Sequence, residues 1–213
     1  MKARYSVIVS VLLVGALALA IAGCGANSGG DGGSATVVGT AVDDGTIVQL
    51  LNAVAQVGGQ SSPPTGADGA FVVTGAPTGA QAITVTAPNH VTTSETVALQ
   101  SGTNSVGLFY VPPILAPGTG AVTGIMVLAG SMAAVNGGNV QSGQILAKSR
   151  SDGSGRFTIY GIPAGLQVYL TFFDPATNAS ASTHADVVAG QVTSIPTVSL
   201  SVGPPPPPDT SGK

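Results

Sequence analysis

Few side chains in this sequence can do chemistry, and their spacing decides which chemistry is open to it. There is one cysteine, Cys24, and there are two histidines, His90 and His184. Ser182, His184 and Asp186 are the residue types of a nucleophilic triad, but they only alternate along one extended stretch. A working triad needs the base oriented between nucleophile and acid, together with an oxyanion hole, and no G-x-S-x-G elbow is present. Asp152-Gly153-Ser154-Gly155 begins like a calcium loop but lacks the further acidic ligands and the closing Glu, so it reads as a turn. The two histidines do not occupy equivalent positions, and both are expected at the surface. These residues predict a chain that is no enzyme, holds no metal and uses no cofactor.

Composition narrows the partners. Charged residues make up 7% of the 213 positions, against about 25% in an average soluble domain. Beyond the first few residues the only cations are Lys148, Arg150, Arg156 and Lys213, set against nine acids. Binding of DNA or RNA through phosphate neutralisation is therefore excluded. Lys148, Arg150 and Arg156 flank one turn and are candidates for a small cationic spot facing an acidic glycan or phosphate. The chain has no Trp, so stacking of sugar rings would fall to Tyr or Phe. Tyr160 and Phe172 are the aromatic candidates for such a surface, with Tyr169 and Phe173 on the strand parity opposite to Phe172.

The N-terminus has the pattern of an export signal. Lys2 and Arg4 precede the apolar run Val7–Ala22, broken only by Ser10; at 16 residues it is short of the roughly 20 that a membrane span requires. Ile21-Ala22-Gly23-Cys24 follows directly. This resembles the lipobox of bacterial lipoproteins, and the resemblance implies cleavage before Cys24, a diacylglyceryl thioether on its sulfur and usually a further acyl chain such as palmitate. Two or more chains hold a protein stably on a membrane where one is marginal. Gly25 follows where Asp would retain a lipoprotein at the inner membrane, which implies the outer membrane in a Gram-negative cell and otherwise the outer face of the plasma membrane. Residues 25–34, GANSGGDGGS, form a flexible spacer reaching about 15–20 Å.

The remainder is organised around a repeat. Gly69–Thr86, GAFVVTGAPTGAQAITVT, returns 86 positions later as Gly155–Phe172, GRFTIYGIPAGLQVYLTF. Short apolar segments separated by Gly and Pro predict strands: Thr36–Val42, Ala53–Val57, Ala70–Thr74, Ala82–Ala87, Val91–Leu99 and Ser105–Val111 in the first copy. Ile83, Val85 and Ala87 fall on one face, and no helical stripe survives the Gly and Pro residues. Asp68-Gly69 reads as a hairpin turn leading into Phe71, the one large core anchor, and Pro77 and Gly79 mark the next reversal.

Gly39-Thr40-Ala41-Val42, Asp68-Gly69-Ala70-Phe71, Ala76-Pro77-Thr78-Gly79 and Ala87-Pro88-Asn89-His90 together resemble the carboxypeptidase regulatory-like module. The second copy repeats these motifs in Asp152–Phe157 and Gly161–Gly165. The resemblance implies a transthyretin-type sandwich and a non-catalytic accessory role. The expected fold is all-β, with two tandem Greek-key β-sandwich domains after an N-terminal signal peptide. The expected divisions are a signal at 1–23, lipidated Cys24 with a linker to 35, sandwiches at 36–111 and 121–202, a Pro-rich connector at 112–120 and a polyproline tail at 203–213. The connector is expected to keep the modules splayed, and the acidic first and balanced second module are read as two separately solvated surfaces. The expected role is lipid-anchored display in the cell envelope, structural or protein-binding, with glycan binding as the alternative. The expected partners are a membrane, through the lipid on Cys24, and an envelope protein or glycan.

Overall fold

The computed structural model describes residues 33–150 and 152–203, apart from the side chain of Leu166. The signal, the lipobox, Cys24, most of the spacer and the polyproline tail lie outside the described residues. Within them every regular element is a strand.

The first sandwich uses seven strands: β1 (Ser34–Asp43), β2 (Val54–Val57), β3 (Gln60–Ser61), β4 (Ala70–Pro77), β5 (Gly79–Thr86), β6 (Thr93–Leu99) and β7 (Gly102–Val111). They form one sheet in the order β4-β1-β7 and another in the order β3-β2-β5-β6. β1 runs antiparallel to β4 and parallel to β7. Alternation along each strand sends one row inward, so Val37, Phe71, Val73, Ile83, Val85, Phe109 and Val111 fill the space between the sheets. Phe109 is therefore a second large anchor beside Phe71.

The second sandwich repeats the plan with β8 (Thr119–Leu128), β9 (Asn139–Ser142), β10 (Ile145–Lys148), β11 (Arg156–Pro163), β12 (Gly165–Asp174), β13 (Ala179–Val187), β14 (Val192–Ser194) and β15 (Val198–Val202). β8 again pairs antiparallel with its Phe-bearing neighbour β11 and parallel with the last strand. That last strand is split into β14 and β15 at Pro196, which has no N–H to give the ladder. A short β13–β15 pairing joins the two sheets of this copy. Its core, including Val122, Phe157, Ile159, Leu170, Phe172 and Leu200, shares no residue with the first.

The repeated motifs have a common mechanical explanation. Gly39 lies opposite Phe71, and Gly124 opposite Phe157. A Cβ on Gly39 would sit 2.6 Å from the Phe71 ring and one on Gly124 would sit 3.0 Å from the Phe157 ring, so each glycine makes room for its aromatic neighbour. Gly69 and Gly155 have φ of +64° and +63°, and a Cβ on either would meet a backbone oxygen of β1 or β8 at 2.5 Å. Only glycine fits both conditions.

Asp68-Gly69 is not a hairpin turn, because β3 and β4 belong to different sheets. It is a crossover in which Asp68 Oδ1 accepts from the Ala70 N–H at 3.1 Å. The Pro77-Thr78-Gly79 step likewise carries the chain from one sheet to the other, with a single residue between β4 and β5. Local turn chemistry marks a reversal but not which sheet receives the next strand.

The Pro-rich connector is not a free spacer. The Val91 N–H donates to Pro112 O at 2.8 Å and the Ile114 N–H to Asn89 O at 2.9 Å, which pins its first half to the 89–91 loop. Its end is held by the Ala164 N–H donating to Gly118 O at 2.9 Å.

Candidate functional site

The principal polar cluster lies where the sandwiches meet. β1 ends in Asp43 and Asp44, and the chain then turns through Gly45 and Thr46. Asp43 Oδ1 caps this turn, accepting from the Gly45 and Thr46 N–H groups at 3.0 and 2.7 Å and from the Thr46 hydroxyl at 2.8 Å. Its other oxygen lies 3.1 Å from His90 Nε2, while His90 Nδ1 lies 2.7 Å from Pro88 O. Both ring nitrogens thus face oxygen atoms, which holds the ring in place between the β1 end and the 88–90 loop. His90 is not the free surface residue expected; its side chain is only 13% exposed.

Asp44 reaches across to the second sandwich. Arg150 donates from Nε and Nη2 to its Oδ1 at 2.8 and 2.6 Å, and the Tyr160 hydroxyl donates to Oδ2 at 2.7 Å. The Arg150 guanidinium also lies 4.2 Å from the centre of the Tyr110 ring, inside the range of a cation–π contact. The Tyr110 hydroxyl has no partner among the described residues, so the contribution of this side chain is its face. Beside them the Lys148 N–H donates to Gly45 O at 2.8 Å, adding a backbone link between the sandwiches. Gly45 leaves room for this approach, since a Cβ there would lie 3.1 Å from the Tyr160 ring. The Asp44 side chain is 5% exposed and that of Arg150 20%. The whole junction falls within one compact unit.

Burial, then the Asp44 carboxylate beside it, pushes the Tyr160 phenol well above its ordinary 10.0. The phenol therefore stays a donor across the physiological range. A raised folded value means that its stabilisation is complete below pH 10 and is lost as pH climbs through that value. Tyr160→Phe is expected to cost about 1–2 kcal/mol at neutral pH, because a buried carboxylate oxygen loses its donor. Urea unfolding should show that this difference shrinks in strongly alkaline buffer.

These contacts revise the expected ligand surface. Tyr160 and Arg150 are engaged with Asp44, so neither is free for a ligand. Phe172 is 1% exposed and packs edge-on against Phe157, with ring centres 5.3 Å apart. The inward row of β12 is the one carrying Leu170 and Phe172, which makes Phe172 a core residue. Nor do the three cations form a spot: Arg150 turns into the junction, Lys148 lies on the outer face of β10, and Arg156 is exposed near Thr123 and Ile125. The charge difference between the modules is partly the two sides of this contact rather than two independently solvated surfaces. Asp44 carried no local sign of this role, because its partners are 106 and 116 residues away in sequence.

The opposite parity of β12 faces outward. Tyr169 is 51% and Phe173 41% exposed, with Thr171 between them. Tyr169 is held edge-on against His184 of β13, with centres 5.1 Å apart. Ser182 pairs with Thr171, Ser180 and Asn139 with Phe173, and Gln141 with Thr171.

No family model and no curated protein matches the chain. Solved structures that overlay on it include the Bacillus anthracis TIE protein, at 13% identity and a TM-score of 0.30, over 80% of this chain and 34% of that one. A streptococcal ancillary pilin overlays at 15% identity and a TM-score of 0.30, over 83% of this chain and 64% of the pilin. The minor pilin of Streptococcus agalactiae does so at 12% identity and a TM-score of 0.28, over 82% and 98%. The chain thus spans about a third of the first of these proteins and just under two thirds of the second.

Proposed function

We propose that this is a non-catalytic, lipid-anchored cell-envelope protein that displays two β-sandwiches as one stiff arm, in a structural or protein-interaction role. The observation carrying the proposal is the Asp44 junction, in which one carboxylate accepts from Arg150 and Tyr160 of the other sandwich. Tethered modules with no shared role need no such contact, whereas an arm that presents a surface at a fixed distance and angle does.

The anchor part rests on the lipobox sequence Ile21-Ala22-Gly23-Cys24. It is tested by metabolic labelling with palmitate and by cell fractionation. Cys24→Ala is expected to abolish both the label and membrane association, and a variant that keeps them would refute lipidation.

A further inference from the structure

The outer face of the second sandwich has a chemistry that the display role does not use. Tyr169 and Phe173 stand on it four residues apart, about 13 Å along the strand. From this face we infer a binding site for a neutral oligosaccharide, laid along β12 with its sugar rings on Tyr169 and Phe173. The inference goes beyond the display reading and does not depend on lipidation.

Three observations select this occupant. The first is the spacing of apolar and polar groups. Thr171 separates the two rings, and Asn139, Ser180 and Ser182 flank them. A protein partner buries a continuous apolar centre inside a polar rim. Two rings parted by Thr171 and flanked by short hydroxyl and amide side chains, with Tyr169 against His184 and Leu146 farther out beyond Gln141, instead match a pyranose chain, whose C–H faces lie against the electron-rich ring faces and whose hydroxyl edges meet short polar side chains.

The second is charge. Near the rings this face has one lysine, Lys148, toward the Phe173 end, and one carboxylate, Asp186, toward the Tyr169 end. Asp186 already accepts from the Gln167 N–H at 3.1 Å. A balanced face of this kind offers an acidic polymer no gain from its charge.

The third is extent. Past Phe173 and Asn139 the face opens into a cleft of about 270 Å3, lined by Thr46 and Val48 of the first sandwich and by Leu146 and Lys148 of the second. Rings and cleft together are longer than one monosaccharide. The T-shaped contact with His184 restrains the Tyr169 ring before binding, so less side-chain freedom is lost on association.

The test is calorimetric titration of the full chain in a sugar-free detergent. The probes are hexasaccharides of β-1,4-glucan, α-1,4-glucan, β-1,4-xylan and chitin, with a hyaluronan hexasaccharide as the acidic comparison. At least one neutral hexasaccharide should bind. Tyr169→Ala and Phe173→Ala should each weaken it about tenfold or more, and Tyr169→Phe less than about threefold. Leu108→Ala, at an exposed leucine of the first sandwich, should leave it unchanged. Both rings are exposed, so the thermal midpoint should hold in every variant, which separates lost binding from lost folding. Absence of binding to all four neutral probes, binding of hyaluronan alone, or undiminished binding by both alanine variants would overturn the inference. Self-association of the chain that either alanine substitution abolishes would overturn it too, by giving the face a protein occupant.

Discussion

Arg150→Ala is expected to lower stability by about 3 kcal/mol, at the bottom of the range for breaking a buried ion pair. The cost arises mainly from what remains. Asp44 is 5% exposed, and without the guanidinium its charge keeps only the Tyr160 hydroxyl as a side-chain donor. Arg150 itself is 20% exposed, which gives water a path to the orphaned carboxylate and keeps the effect from the top of the range. Loss of the guanidinium from the Tyr110 face adds a smaller part.

Lysine should not rescue the site, because it cannot donate from two nitrogens to one oxygen while lying flat on a ring. Asp44→Ala combined with Arg150→Ala should cost less than the sum of the single changes, since the double variant leaves no buried charge behind. Urea unfolding followed by circular dichroism measures the parent and the four variants. The single transition of the parent should also broaden or divide in Arg150→Ala, as the sandwiches cease to unfold together.

Phe157→Ala is expected to cost about 3–5 kcal/mol, the range for deleting a fully buried aromatic ring. The Phe157 ring is wholly buried, meets Phe172 edge-on at 5.3 Å and covers the backbone of β8 at Gly124. Without it the two sheets of the second sandwich face a cavity that Gly124 cannot fill. Phe157→Leu should recover more than half of the loss. Amide exchange should rise most across β8, β11 and β12, which the ring packs against, and less in β1 and β4, whose core shares no residue with theirs.

Much of the fold was legible in the sequence because its determinants are local. Alternation in Ala82–Ala87 gave the buried row of β5, and the repeat of Gly69–Phe71 in Gly155–Phe157 marked one construction used twice. The hydroxyls of Thr65 and Ser149 also play one role in the two copies. Each accepts from a backbone N–H, of Ala53 or Gly138, and donates to a carbonyl, of Leu50 or Val135. Their different residue types hid that equivalence.

What escaped the sequence depends on contacts between distant segments. The parity of β12 was visible, but which parity faced the core was not, and so Phe172 and Tyr169 exchanged roles. The Asp68-Gly69 step looked like a hairpin because turn residues do not encode the sheet of the following strand. Asp43, Asp44 and His90 read as ordinary polar residues of a solvated surface, and only the fold brings Asp44 to Arg150 and Tyr160. Proline in the connector suggested stiffness, but its hydrogen bonds to the 89–91 loop and to Ala164 could not be read from the sequence.

The proposed stiffness of the two-sandwich arm has a physical readout. It is tested most directly by the distance between spin labels on Thr96→Cys in the first sandwich and Ser199→Cys in the second, in a Cys24→Ala background. Both positions are exposed, and neither touches the junction. Double electron–electron resonance should give one narrow distance distribution in the otherwise unaltered chain and a broad one once Arg150→Ala is added. A distribution already broad with Arg150 in place would contradict the account.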